Sequence, residues 1–165
     1  MKVFKQRYFL FSALAAVLIT TSIFAMWANR PEVKVMLSGT VERDSQAIQI
    51  EKAGLLNPGE ILNWTILSQN TGSAPAHNYK TIGEIPSGTA YVAGSAKAGG
   101  NVTILFSIDQ GKTFSTKPMI EQKQPDGSMR QVAAPVSMYT HIRYEWGEPL
   151  AEGKQLSASY KVRVQ

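Results

Sequence analysis

Few side chains in this chain can do chemistry, and they are scattered. His77 and His141 are the only histidines, Asp44, Asp109 and Asp126 the only aspartates, and there is no cysteine. A zinc site needs three or four converging ligands, and neither histidine has a second one at helical or hairpin spacing. The absence of cysteine removes a thiol nucleophile, thiolate metal sites and a disulfide framework. No Gly-x-Ser-x-Gly elbow is present for a serine nucleophile. Glu145 and Glu148 could pair as acid and base in glycoside hydrolysis, but they flank Trp146-Gly147 at a predicted strand end and read as solvated loop charges. His141 alternates with Tyr139 and Arg143 and reads as a partly exposed sheet residue. No catalytic, cofactor or metal residue is expected, and no enzyme.

The densest polar cluster is Ser107-Ile108-Asp109-Gln110-Gly111-Lys112-Thr113-Phe114. It resembles the Asp-box, Ser-x-Asp-x-Gly-x-Thr-aromatic, of sialidase propellers and other β-proteins. The resemblance implies a hairpin device in which Ser107, Asp109 and Thr113 bond turn amides, Gly111 permits the turn and Phe114 packs beneath; a calcium or glycan site is the minor alternative. Short polar side chains bonding their own backbone are the general basis of such turns. A sialidase would need repeated blades, and one box does not supply them.

The elements that must position these residues are strands. From Val33 onward apolar and polar side chains alternate in short runs, the mark of half-buried β-structure. Strands are predicted at Val33 to Val41, Gln46 to Lys52, Ile61 to Gln69, Asn78 to Glu84, Ala90 to Val92, Val102 to Ile108, Lys117 to Glu121, Met129 to Val132, Tyr139 to Trp146 and Leu156 to Val164. In the third, Leu62, Trp64 and Ile66 share one face, and Trp64 is the expected core anchor. Turn residues punctuate the strands at Asn57-Pro58-Gly59, Asn70-Thr71-Gly72, Pro86-Ser87-Gly88, Ala98-Gly99-Gly100-Asn101, Asp109-Gln110-Gly111, Pro125-Asp126-Gly127 and Glu152-Gly153, each offering a fixed proline φ or a residue that tolerates positive φ. Many short strands with frequent turns predict an all-β chain, an Ig-like antiparallel β-sandwich.

Three of these segments resemble the DUF11 family of bacterial surface β-sandwich repeats. Asn57-Pro58-Gly59-Glu60 through Trp64 to Asn70-Thr71-Gly72 is similar to that family's Pro-Gly-acidic opening, strand and Asn-x-Gly turn. Ile85-Pro86-Ser87-Gly88-Thr89-Ala90-Tyr91-Val92-Ala93-Gly94-Ser95 resembles its Pro-x-Gly hairpin, and Leu150 to Leu156 its turn into the closing strand. The resemblance covers roughly Ile48 to Val164 and implies a fold and a surface role rather than chemistry. Where the family usually carries an acidic residue in the strand after the Asn-x-Gly turn, this chain reads Lys80-Thr81-Ile82-Gly83, which weakens any cation site the resemblance would imply. The closing strand, Leu156 to Gln165, has neither Asn nor Asp, which argues against the lysine cross-link of some adhesins.

The N-terminus sets location. Lys2, Lys5 and Arg7 precede an uncharged, largely apolar run from Tyr8 to Asn29, the layout of a signal peptide or a signal-anchor helix. Ala25 and Ala28 each offer a cut, but Ile23 and Met26 lie upstream where small residues are usual, so both fates stay open. The positive-inside rule places Arg30 onward outside. The expected organisation is residues 1–28 as signal peptide or anchor helix, 29–45 as linker and candidate first strand, and 46–165 as the DUF11-like domain. The net charge of +5 falls to +2 once those three basic residues are removed, 14 against 12 acidic, and no basic run is interleaved with aromatics, so nucleic acid is not an expected partner. The expected role is non-enzymatic: an exported or membrane-anchored envelope protein, outside the cytoplasmic membrane, contacting an envelope protein or a glycan. The alternatives are a carbohydrate-binding module using Tyr79, Tyr91, Tyr139, Tyr144 or Trp146, and a single-span accessory subunit of a membrane complex.

Overall fold

The computed structural model describes residues 29–165; the helix expected over residues 1–28 lies outside them. Among the described residues no helix is long and apolar enough to cross a membrane. The described residues form eleven strands: β1 (Val33–Arg43), β2 (Gln46–Gln49), β3 (Ile61–Asn70), β4 (Lys80–Glu84), β5 (Thr89–Tyr91), β6 (Lys97–Ala98), β7 (Val102–Ser107), β8 (Met119–Lys123), β9 (Met129–Ala133), β10 (His141–Trp146) and β11 (Gln155–Val164). Every pairing between them is antiparallel. The larger sheet runs β2-β1-β3-β11-β5, with β6 also on β11; the smaller runs β4-β10-β7; β8 and β9 form a separate hairpin.

The period-two pattern decides which side chains meet. Leu62 and Ile66 of β3, Val41 of β1 and Ala158, Tyr160 and Val162 of β11 project from one face of the larger sheet into a core completed by Ile142, Tyr144 and Trp146 of β10. Two phenols cross that core in opposite directions. Tyr144 donates to the Ser159 carbonyl at 2.8 Å, and Tyr160 donates to the Glu84 carbonyl. Burial raises both phenol pKa values, so both stay protonated donors. Aromatic stacks flank the pair. Tyr79, Trp146 and Tyr144 stack at centroid distances of 5.7 and 6.1 Å, and Phe106 stands 5.3 Å from Tyr91 and 4.8 Å from Tyr139.

Several expectations need correction. Within 29–45, expected as linker and candidate first strand, the strand is present and belongs to the domain, since β1 pairs with β3 from Val33↔Asn70 to Val41↔Leu62. The folded unit therefore includes Val33 to Arg43 rather than starting at Gln46. Even Arg30 and Glu32 are held, their carbonyls accepting from Ser73 and Thr71. Trp64 is half-buried at the margin of the core instead of anchoring its centre. It sits opposite Gly39 across the β1–β3 pair, beside a cleft that it lines with Leu37 and Glu84, and the central places go to Tyr144 and Tyr160, 0% and 1% exposed. The strand expected over Gln46 to Lys52 ends at Gln49 and continues as a 3-10 turn, Ile50–Lys52. Another 3-10 turn, Val136–Met138, precedes β10 and takes it back to a start at His141.

Gly83 shows how tightly the phenols are seated. A Cβ at this position would lie 2.5 Å from the Tyr160 ring. Gly83→Ala is therefore expected to destabilise the fold by about 1–3 kcal/mol through overpacking. Gly99→Ala, where a Cβ meets nothing within 4 Å, serves as the near-neutral control. Urea midpoints of the two variants check this, and equal midpoints would show that the Tyr160 seat is not a constraint.

Candidate functional site

Ser107, Asp109, Thr140 and His141 meet where β7 ends and β10 begins, the one place among the described residues where a serine, an aspartate and a histidine converge. His141 is the cross-strand partner of Ser107. The order of the hydrogen bonds decides what the cluster can do. Ser107 Oγ donates to Asp109 Oδ1 at 2.6 Å and accepts from the amides of Gly111 at 2.9 Å and Asp109 at 3.3 Å. Asp109 also accepts from the Thr113 amide at 2.9 Å and the Thr113 hydroxyl at 2.6 Å. Thr140 Oγ1 accepts from the Gln110 amide at 3.1 Å and lies 3.2 Å from His141 Nδ1. Gln110 and Gly111 take left-handed φ of 61° and 79°, which folds the turn back on itself.

A nucleophilic serine gives its proton to a basic imidazole. Here Ser107 is 1% exposed, its proton goes to Asp109, and its oxygen already accepts from two amides. The donors around Asp109, Ser107 first and then Thr113, hold its carboxyl well below the usual carboxylate range, the opposite of what a general base requires. The arrangement is a turn lock. Phe114 sits against the smaller sheet, its ring 4.2 Å from the Arg143 guanidinium carbon, a cation–π contact. Arg143 and Lys80 both lie within ion-pair distance of Glu145 Oε1, at 2.8 and 3.0 Å, so Glu145 belongs to a charge cluster on the sheet while Glu148 is exposed. The remaining histidine, His77, is exposed and lies at the other end of the β4–β10 pair. No group of three or more His, Asp or Glu side chains among the described residues could hold a metal ion.

Two hubs that carry no catalytic signature hold more of the molecule together. Asn70, 0% exposed, accepts at Oδ1 from the amides of Gly72 and Glu32 at 3.0 and 3.2 Å, and donates through Nδ2 to the carbonyls of Ala74 and Leu150 at 2.7 and 2.9 Å. The turn after it does not use positive φ at Gly72. It needs glycine because the Arg30 carbonyl and the Glu32 amide lie against the Cα. At the opposite pole Arg43 forms a two-point pair with Glu60 at 2.7 and 3.0 Å and donates to the Ala53 and Leu55 carbonyls. Arg43 foremost, with the Asn57 amide, lowers the Glu60 carboxyl to about 2. Each anchors a motif noted in the sequence, the Asn of Asn-Thr-Gly and the acid after Asn-Pro-Gly, but the partners Arg43, Glu32 and Leu150 are distant in the chain. The five aromatics weighed as a glycan platform, Tyr79, Tyr91, Tyr139, Tyr144 and Trp146, belong to the core or pack against it.

Ser107→Ala and Asp109→Ala are each expected to lower the unfolding midpoint. Losing the serine hydroxyl strands two amides and should cost about 1–3 kcal/mol. Because the two residues act in one network, the double variant should cost less than the sum, and strict additivity in urea titrations would contradict the lock. Glu60, Asp109 and Asp126 have carboxyl pKa values lowered by their hydrogen bonds. Their contribution is complete above the ordinary values of 4.5 and 3.8 and is lost as pH falls towards the folded values. The urea midpoint should therefore drop between about pH 5 and pH 2, and less steeply in Glu60→Gln; a profile unchanged by that substitution would reject the Arg43–Glu60 pair as a source. In comparison with known proteins, the chain matches no family model, no curated protein and no solved structure.

Proposed function

We propose that this chain is a non-enzymatic envelope protein, an Ig-like β-sandwich of the DUF11 type held at, or released from, the outer face of a bacterial cytoplasmic membrane and acting by contact with another envelope component. The observation that carries the reading is the use of the reactive-looking groups. Ser107, Asp109 and Thr113 spend their hydrogen-bonding capacity on one another and on turn amides, and such a turn presents shape instead of a reactive atom. The basic cluster and apolar run ahead of Asn29 support export.

The geometry at residue 29 favours anchoring as the mode of display. Arg30 and Glu32 are bonded to the turn at Thr71–Ser73, so the chain enters the domain rigidly. β1 then runs away from that pole for about 33 Å, at the rise of an extended strand. On an anchor, the pole bearing Asn70 and Leu150 would face the bilayer, while the Asp44-Ser45 turn, the Arg43–Glu60 pair and the Ser107–Thr113 turn would face outward. An envelope protein is favoured over a glycan as partner, because the aromatics that would stack on a sugar ring are engaged with the core.

Cell fractionation with mass spectrometry of the native N-terminus tests the reading. An intact Met1 in the membrane fraction is expected for an anchored protein, and a start near Met26 or Asn29 in an extracytoplasmic fraction for a released one. An intact chain recovered from the cytoplasm would refute export.

A further inference from the structure

The two sheets differ in width, and the difference leaves a groove. β1 overhangs the three-stranded sheet on the β4 side. In the β1–β3 register Val35 and Leu37 share the inner face with Ser68 and Ile66, yet they are 53% and 59% exposed, whereas Val41 on the same face is 0% exposed. A cleft of about 240 Å³ lies beside them, lined by Leu37, Trp64, Glu84, Pro86, Ser87 and Tyr160. Its other wall is the end of β4, a strand paired only with β10.

The unpaired edge of β4 presents main-chain groups. Trp146 donates to the Tyr79 carbonyl and Ile85 donates to the Thr140 carbonyl, so residues 79 and 85 direct their main-chain groups towards β10. By the alternation of an antiparallel ladder the odd positions between them do the same, and Lys80, Ile82 and Glu84 turn theirs outward. Tyr160 takes the Glu84 carbonyl, leaving the N–H and C=O of Lys80 and Ile82 available. A further observation marks the same place: Trp64 Nε1 is buried with no hydrogen-bond partner, although Trp64 lines the cleft. A buried donor left without an acceptor costs about 1–3 kcal/mol.

We propose that this groove is a docking site for an extended segment of a partner protein that adds to the β4 edge as a fourth strand of the smaller sheet. Such a strand bonds Lys80 and Ile82 through its backbone and covers Val35 and Leu37 with every second side chain, so its recognisable chemistry is apolar residues at alternate positions. Addition at the outer edge of β1 is also open, since β2 pairs only with Thr40–Arg43. A strand there would widen the larger sheet while Val35 and Leu37 stayed in water, and that decides for β4. The inference deepens the contact reading above and rests on it, but it is tested by binding and not by location, so either can fail alone.

The test uses the full chain in detergent micelles and a displayed library of random peptides of about nine residues, a length sufficient for one strand. Selected peptides should show apolar residues at every second position. A synthetic copy of one should shift the Trp64 indole N–H resonance and slow exchange of the Lys80 and Ile82 amides. Leu37→Asp, at a position already exposed, should weaken it on the order of tenfold or more, the scale of one buried leucine. The proposal is overturned by no selected peptide, by selected peptides with helical periodicity, by protection at Val33–Gly39 instead of β4, or by undiminished binding to Leu37→Asp. A self-associated chain whose Lys80 and Ile82 amides are protected before peptide is added would also overturn it, in favour of a second copy as occupant.

Discussion

Two phenolic hydroxyls hold the two sheets in one alignment. Tyr144 reaches from the smaller sheet to a carbonyl of β11, and Tyr160 reaches back from β11 to a carbonyl at the end of β4. Apolar packing is non-directional and would tolerate a slide of one sheet over the other. A pair of buried hydrogen bonds pointing in opposite directions does not, because any slide that breaks them leaves groups unsatisfied away from water. The rest of the interior follows from this alignment: Gly83 leaves room for one ring, and the Tyr79–Trp146 stack continues from the other. Burial keeps both phenols protonated, so the tie between sheets is insensitive to pH over the range in which the surface carboxylates titrate.

The surface works by a different principle. At each pole a charged or amide side chain gathers backbone groups from turns distant in sequence. Asn70 joins the segment before β1, the turn after β3 and the segment before β11, while Arg43 and Glu60 join the end of β1 to the segment before β3. The Ser107–Asp109–Thr113 turn does the same locally. Carboxylates take part in two of the three, so these loops respond to acid where the core does not. Acid should therefore loosen the pole that carries the Arg43–Glu60 pair and the Asp109 turn before it separates the sheets.

Much of the architecture was legible as alternation. Leu62-Asn63-Trp64-Thr65-Ile66 and Ile142-Arg143-Tyr144-Glu145-Trp146 announce strands with one buried face, and the Asp109 turn could be read from its short polar side chains. What escaped was everything set by pairing. The hairpin turn at Asp44-Ser45 lacks glycine, yet both residues take left-handed φ, 52° and 62°. Without that signal the strand at Val33 to Val41 could be read from its alternation, but not its hairpin to β2 or its place inside the domain. Trp64 has the size of a core anchor, but its depth depends on how far the opposite sheet extends, and alternation along one strand contains no information about sheet width. Lys97–Ala98 is too short to show a period at all.

Sheet width is also where the fold leaves something unfinished. A soluble domain usually blunts its edges with charge, proline or a covering loop. The smaller sheet has a charged edge, with Lys80 and Glu84 on β4, yet Ile82 between them is 51% exposed and the overhanging face beside it carries Val35 and Leu37. Val35 and Leu37 on the inner side and Ile82 on the outer side border a free row of main-chain donors and acceptors. The charges at either end of β4 discourage open-ended stacking of flat apolar sheets, while the span between them remains able to accept one strand of matching pattern. An edge guarded at its ends and apolar at its centre favours one specific added strand over indiscriminate aggregation.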